Sequence, residues 1–299
     1  MIRLACVLLA LVGGAAVAAA DVNLYVAPGG NDAWSGKLEK ANAAQTDGPL
    51  QTLQAARDKV RQLRLASPHE PVKVILRGGT YFLPETLVLG QEDSGTAAAP
   101  VTWQAYPGET VLVSGGRPVT ALQETKLGGL RAWQTTLPAV KSGEWNFRQL
   151  FVRKQGESFF TRRFRPHKGM LAVAGLTYSP QRKTIAHRAA QQDFIFFPGD
   201  LQHFQNLPEV EIVALHSWSA SRLKIKALDL QSSVVTFTSV PTFRIGSWYK
   251  NEQNPYYVEN VREELKQPGQ WYLDRSTGVL TYLPLPDEKL TNVTLVAPL

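Results

Sequence analysis

Four short runs of alternating apolar residues between Val72 and Gly116 constrain the fold more than any other part of the chain. Each run is closed by glycine, proline or a small polar cluster, which is the pattern of a β-strand bounded by turns. The run at Val74 recurs 27 residues later at Val101, and the run at Leu87 recurs 24 residues later at Val111. This repeat predicts a solenoid, in which strands stack coil on coil. A β-sandwich spaces its strands similarly, so the spacing alone leaves both architectures open.

A helical periodicity precedes these strands. From Leu53 to Leu63 the apolar residues recur at intervals of three and four, with basic residues mostly on the other faces. Thr52 is a good N-cap, and Ser67-Pro68 is a typical helix end. An apolar stripe needs a surface to cover, and the first coil of a solenoid has an unpaired edge. We therefore predict a helix that caps the N-terminal end of the stacked strands.

The first 20 residues have the pattern of a signal peptide. Arg3 precedes an apolar stretch over residues 4–17, and the small residues that end at Ala20 fit cleavage after that position. Cys6 is the only cysteine of the chain, so cleavage would leave a protein without disulfides. We expect a secreted or periplasmic protein with no membrane anchor once the signal peptide is removed.

The charge balance favours an anionic partner. The chain carries 32 Lys and Arg against 25 Asp and Glu, a net charge of +7. Most basic residues are scattered, and a nucleic-acid-binding protein would concentrate them on one face. For an exported protein, a polysaccharide or oligosaccharide is the expected partner, and we expect no nucleic acid.

Sequence motifs for cofactor and metal binding are missing. The five histidines have no metal-ligand spacing, and the chain contains no phosphate-binding loop, no dinucleotide fingerprint and no G-x-S-x-G elbow. The sequence therefore predicts neither a metal site nor a cofactor.

Seven segments that follow one another along residues 21–299 carry a resemblance to known proteins. In order they are YVAPGGND, GPLQTLQAARDKV, VILRGGTY, EDSG, PVTWQAYPGETVLVSGG, QLFVRKQGESFFTRRFRP and NVREELKQPGQWYLDRSTGVLTYLP. Together these segments resemble right-handed parallel β-helix carbohydrate-active proteins, most closely the N-terminal part of glycoside hydrolase family 141-like enzymes.

The resemblance implies an all-β fold. It would contain the first coils of a right-handed parallel β-helix (a pectate-lyase-like solenoid), an N-terminal capping helix and an inserted β-barrel or sandwich domain. We expect a signal peptide over residues 1–20 and the cap and first coils over 21–116. The inserted domain would span 117–265, where the coil spacing is lost, and a hairpin that returns into the β-helix would span 266–299. Strands of the inserted domain are predicted at Leu150–Arg153, Phe194–Phe197, Val210–Leu215, Arg222–Ile225 and Val234–Phe237.

The catalytic residues of a hydrolase are not identifiable. Hydrolysis of a glycosidic bond needs two carboxylates. Those at Glu92-Asp93, Glu263-Glu264 and Asp274 are typical of turns and solvated faces. In the resembled hydrolases the carboxylates belong to later coils, so we expect them beyond Leu299 and interpret the chain as truncated. An open final coil at that end would also favour self-association.

Two groups of residues are candidates for substrate binding. Arg162, Arg163 and Arg165 can bind carboxylates in a bidentate manner, although an arginine cluster is also a common solvated or structural patch. Trp248 and Tyr249 can stack on a sugar ring or on core neighbours. The resemblance favours a secreted glycoside hydrolase that acts on polysaccharide. A non-catalytic carbohydrate-binding or adhesion module and a fragment of a polysaccharide lyase remain as alternatives.

Overall fold

The structure, a computed structural model, describes residues 21–175, 192–241, 243, 245 and 254–299. The predicted signal peptide lies outside these residues. Helices make up 11% of the structure, so the all-β class is confirmed. The chain forms two compact units that meet in sequence at Gly115 and Gly116. We call them the N-terminal unit and the C-terminal unit.

The described residues of the N-terminal unit form one α-helix, a short 3₁₀ helix (Gln91–Asp93) and two small parallel sheets. The strands β1, β2 and β4 form one sheet in that order, and β3 pairs with β5. Its elements are β1 (Val22–Val26), α1 (Leu53–Ala66), β2 (Val72–Leu76), β3 (Gly79–Phe82), β4 (Val101–Ala105) and β5 (Val111–Ser114).

The predicted helix is confirmed. The Thr52 hydroxyl accepts a hydrogen bond from the backbone N–H of Ala55 at 3.1 Å, which satisfies one of the free donors at the helix start. The buried face of α1 carries Leu53, Ala56 and Val60, and it packs into the apolar core formed by the strands of this unit. The cost of exposing this stripe explains why the helix forms where its periodicity is strongest.

The predicted β-helix is not shown, and that part of the fold prediction is wrong. Parallel pairing between strands of the described residues is confined to the five strands of the N-terminal unit, and the strands that follow pair antiparallel, apart from one isolated parallel bridge between Phe164 and Gln270. The repeat spacing was also misread. Val72 pairs with Val101 and Gly79 with Val111, offsets of 29 and 32 residues. The run at Leu87 forms no strand, because alternation produces a strand only where a neighbouring backbone is available to pair with it.

The described residues of the C-terminal unit form two antiparallel sheets and a barrel. One sheet has the order β10-β9-β19-β6 and the other β17-β18-β8-β7, and the barrel closes in the order β11-β12-β15-β14-β13-β16. The elements are β6 (Gly116–Val119), β7 (Gln123–Leu127), β8 (Leu130–Thr136), α2 (Pro138–Lys141), β9 (Leu150–Lys154), β10 (Thr161–Arg163), β11 (His167–Gly175), β12 (Asp193–Phe196), β13 (Glu211–Leu215), β14 (Ala220–Asp229), β15 (Val234–Phe237), β16 (Pro255–Glu259), β17 (Trp271–Asp274), β18 (Val279–Tyr282) and β19 (Val293–Pro298).

The predicted hairpin near the end of the chain is confirmed. Strand β17 pairs with β18 in the register Trp271 to Tyr282 and Leu273 to Leu280. These four side chains lie on one face of the sheet, where they join the core that also contains Trp133. The opposite face of the same sheet carries polar side chains, since successive residues of a strand point to opposite sides.

The barrel has its own core, and its strands lie in sequence between those of the two sheets. Phe194, Phe237 and Tyr256 meet inside it, with ring centroids 4.9 and 5.6 Å apart in two of the pairs. The strands before and after the barrel pair with each other, β8 with β18 and β9 with β19. The two sheets are therefore completed only after the chain has formed the barrel.

Candidate functional site: a polar groove on a four-stranded sheet

A groove of about 220 Å³ lies on the outer face of the β17-β18-β8-β7 sheet. Tyr272 is the register partner of Thr281, which in turn pairs with Gln134 on β8. On each of these strands the next residue points into the core. The alternation of the strands therefore places the side chains of Tyr272, Thr281 and Gln134 together on the outer face of the sheet. The groove is lined by Leu127, Gln134, Arg262, Leu265, Tyr272, Asp274, Thr277, Val279 and Thr281.

Tyr272 forms a fixed wall of the groove. Its hydroxyl accepts a hydrogen bond from Nδ2 of Asn206 at 2.9 Å, and its side chain is almost fully buried. Burial raises the pKa of Tyr272, so the phenol stays neutral at physiological pH. The ring is therefore held in one position at the wall of the groove, with only 3% of the residue exposed.

Asp274 is held by the hairpin turn that follows it. Its Oδ1 accepts hydrogen bonds from the backbone N–H of Ser276 at 3.0 Å and from that of Thr277 at 3.3 Å. Burial acts to raise the pKa of Asp274, but these bonds and the one from the Ser276 hydroxyl outweigh it and lower the pKa below its ordinary value. The carboxylate is thus ionised, and the prediction that it orders the turn is confirmed.

The remaining polar groups of the groove are neutral, apart from one cation. Nε2 of Gln134 donates to the hydroxyl of Thr281 at 3.0 Å, which aligns the two side chains across β8 and β18. Arg262 lies exposed on the short 3₁₀ turn Arg262–Glu264 at the rim. Hydroxyl, amide and guanidinium groups next to the apolar surfaces of Tyr272 and Val279 match a ligand that combines many hydroxyls with apolar faces.

The groove has the chemistry of a binding site. Among its lining residues Asp274 is the only carboxylate, and it is already engaged by the turn. A glycosidic bond is hydrolysed by two carboxylates about 5–9.5 Å apart. The groove residues can therefore orient a ligand through hydrogen bonds and stacking, and they do not by themselves supply an acid and a base.

Other carboxylates considered in the sequence have structural partners. Asp93 accepts a hydrogen bond from the backbone N–H of Gly90 at 2.7 Å and pairs with Arg61 at 2.7 Å, so its predicted role as a turn cap is confirmed. Oε1 of Glu263 accepts from the backbone N–H of Gln205 at 2.7 Å. These contacts hold loops in place.

Two of the predicted substrate-binding arginines are buried in ion pairs. Nη1 of Arg165 contacts Oε2 of Glu211 at 2.9 Å and Oε2 of Glu259 at 3.2 Å. Arg163 donates to the hydroxyl of Tyr282 and pairs with Glu288, which is fully buried. Both charges are thus paired within the chain, although Nε of Arg165 is buried without a hydrogen-bond partner.

Arg165 belongs to a larger group that we call the arginine–glutamate cluster: Arg148, Arg165, Glu211, Arg222 and Glu259. Burial acts to raise the pKa of Glu211, but the adjacent Arg148 and Arg165 outweigh it and lower the pKa to about 2. The cluster joins barrel strands β13, β14 and β16 to the segments that carry Arg148 and Arg165.

The other sequence-based candidates have different locations. Arg162 is exposed on β10. Trp248 and Tyr249 lie outside the described residues. The groove residues were not selected from the sequence, although the alternation in the predicted hairpin contained a signal for Tyr272 and Thr281. Nothing in the sequence linked Gln134 or Arg262 to that hairpin.

The described residues contain no cluster of three or more His, Cys, Asp or Glu side chains that could hold a metal ion.

Within the same part of the chain, no helix is long and apolar enough to span a membrane.

Comparison with known proteins relates slightly more than half of the chain to one family. Residues 130–285 match the family described as "GH141 insertion domain". This segment contains the barrel, the arginine–glutamate cluster and the groove residues from Gln134 to Thr281. The resemblance to family 141 proteins is confirmed at this level.

Two individual proteins are similar to this chain over different shares of its length. Pectate lyase PEL9 of Emericella nidulans is 38% identical over 100 residues, which are 33% of this chain and 20% of that protein. A solved structure titled "Glycoside hydrolase" superimposes with a TM-score of 0.68 at 22% identity and covers 92% of this chain. The chain spans 46% of that structure, and the likeness shows a shared fold.

Proposed function

Because the chain belongs to the GH141 insertion-domain family, we propose that it is a carbohydrate-active protein that binds polysaccharide in the polar groove of its β17-β18-β8-β7 sheet. The observation that carries this proposal is the composition of the groove. A buried aromatic wall, two aligned neutral hydrogen-bonding side chains and a rim arginine surround about 220 Å³. Sugar rings present apolar C–H faces and peripheral hydroxyls, and this arrangement offers a partner to each.

We propose binding as the contribution of these residues to the activity of a secreted glycoside hydrolase. The single carboxylate of the groove is held in a turn, which supports a role in positioning the polymer. The net charge of +7 supports an acidic polymer as ligand. The sequence-based contact through Arg162 remains a second proposal for the same ligand, since this side chain is exposed.

Substitution of one arginine at a time separates the two proposed contacts. The full chain and its Arg262→Ala and Arg162→Ala variants would be tested by affinity electrophoresis in gels that contain polygalacturonate or xylan. We expect Arg262→Ala to weaken binding about tenfold, the effect of losing a hydrogen bond from a charged donor. The two variants make the same change in charge at exposed positions, so general electrostatics would affect both alike.

The results distinguish the possible sites. Retention by neither polymer would refute carbohydrate binding. Retention that is unchanged in Arg262→Ala and reduced in Arg162→Ala would move the site to β10 and refute the groove.

The similarity to a pectate lyase supports a second candidate, a polysaccharide lyase. In that case incubation with polygalacturonate and calcium would produce unsaturated uronates, which absorb in the ultraviolet. No rise in absorbance with the same polymer would remove this candidate.

A further inference from the structure

The tip of the β13–β14 hairpin holds an indole ring out into the solvent. Trp218 is 84% exposed, whereas large aromatic side chains contribute most to stability when they are buried. An apolar ring of this size in water needs an explanation. The local structure of the hairpin limits the kinds of ligand that could cover it.

The hairpin tip is rigid. The backbone N–H of His216 donates to the carbonyl of Ser219 at 2.7 Å and closes the turn. The buried His216 ring lies with Nε2 2.8 Å from the Ser221 hydroxyl and packs against Phe243 at a centroid distance of 5.7 Å. Trp218 is thus presented by a backbone that is already ordered, so a ligand that contacts it loses little additional conformational entropy.

The residues on either side of Trp218 in the chain are serines. Its chain neighbours are Ser217 and Ser219, and the next strand begins with Ala220. The core of a protein–protein interface is a contiguous apolar patch. An exposed indole beside the exposed Ser217 matches a pyranose ring instead, which stacks its C–H face on the indole and hydrogen-bonds to the Ser217 hydroxyl.

The barrel separates this tip from the groove. Ala214, near the tip, pairs with Tyr256 at the start of β16, and Glu211 pairs with Glu259 at the end of β16. Arg262 of the groove follows three residues after Glu259. A strand of this length spans on the order of 15 Å, so the tip and the groove lie towards opposite ends of the barrel.

We propose that Trp218 is a second carbohydrate contact, which stacks on a sugar ring of the polymer whose neighbouring part occupies the groove. The inference rests on the proposed function and adds that the ligand is long enough to reach both contacts. Two contacts on one chain raise the affinity for a polymer that reaches both, while a disaccharide engages only one of them.

The test compares ligands of two lengths. Binding of polygalacturonate or xylan, whichever the wild-type protein retains, and of the corresponding disaccharide would be measured by isothermal titration calorimetry. Trp218→Ala should weaken polymer binding by about 30-fold, the loss at an aromatic hot spot, and leave disaccharide binding unchanged. Arg262→Ala should weaken both, and Trp218→Tyr, which keeps an aromatic face, should retain most of the polymer affinity.

Phe159→Ala is the matched control, since Phe159 is an aromatic residue that is 78% exposed elsewhere in the C-terminal unit. Equal loss in Phe159→Ala and Trp218→Ala would show a non-specific effect and overturn the inference. Polymer binding by Trp218→Ala equal to that of the wild type would overturn it too, while leaving the groove intact. A wild-type protein that binds neither polymer would overturn both the proposed function and this inference.

Discussion

Substitution of Glu211 by glutamine should strongly destabilise the C-terminal unit. The Glu211 side chain is 3% exposed and contacts Arg148, Arg165 and Arg222. Glutamine keeps the shape but removes the charge, which leaves the guanidinium of Arg165, at 7% exposure, with Glu259 as its remaining anionic contact. Removing one partner of a buried ion pair costs about 3–5 kcal/mol, because the other charge stays buried without compensation.

The lowered pKa of Glu211 leads independently to a similar loss of folding free energy. This pKa is about 2 in the folded protein, against an ordinary value of 4.5. A carboxyl whose pKa is lower in the folded state stabilises the fold at pH values above its unfolded pKa. This contribution is lost as the pH falls through the range between about 4.5 and 2. A difference of one pKa unit corresponds to about 1.4 kcal/mol, so the lowered pKa of Glu211 contributes about 3 kcal/mol to the stability of the folded state at neutral pH.

Urea denaturation followed by circular dichroism and tryptophan fluorescence would test both statements. At pH about 7 the midpoint of Glu211→Gln should fall by the equivalent of about 3 kcal/mol, and at pH about 3 the difference from wild type should be clearly smaller. Glu124→Gln is the control, since this side chain is 59% exposed beside Arg131 and exposed pairs contribute little. A difference below about 1 kcal/mol at neutral pH, or one that is equally large at both pH values, would refute the reasoning.

Two further substitutions test the packing of each unit. Leu53→Asp places a charge at a position that is 4% exposed on the buried face of α1. It should cost at least about 2–5 kcal/mol and promote aggregation detectable by light scattering, and a soluble variant with an unchanged melting temperature would contradict this. Tyr272→Phe removes the hydrogen bond from Asn206 and should lower stability by about 1–2 kcal/mol in urea denaturation. Unchanged stability would show that this bond does not hold the groove wall.

Elements that depend on local sequence were predicted well. Helix α1 and its cap at Thr52 follow from a periodicity and a hydrogen bond that span a few residues. The β17–β18 hairpin follows from alternation around a tight turn. In both cases the residues that stabilise the element are its near neighbours in sequence.

Features that depend on distant pairing were not predictable in the same way. The run at Leu87 alternates as well as a strand does, yet β3 is the segment that pairs with β5. Strand β7 was missed because its first four residues are exposed and polar at a sheet edge. Arg165 looks like part of a surface patch in the sequence, because Glu211 and Glu259 are 46 and 94 residues away. The groove likewise joins β8 to a hairpin about 140 residues later, a contact that no local pattern contains.

The pairing of the first and last barrel strands has a consequence for how this chain tolerates change. His167, where the chain enters the barrel, is the register partner of Glu259, where it leaves. Paired residues of antiparallel strands have Cα atoms only about 4.5–5.5 Å apart, a gap that one or two residues bridge. The backbone of the two sheets would therefore close with little rearrangement if the barrel were deleted or exchanged for another. The entry and exit of the barrel therefore lie side by side, and its size and loops can vary without moving the strands on which it is mounted only if Glu211 and Glu259 are kept as partners of Arg148 and Arg165.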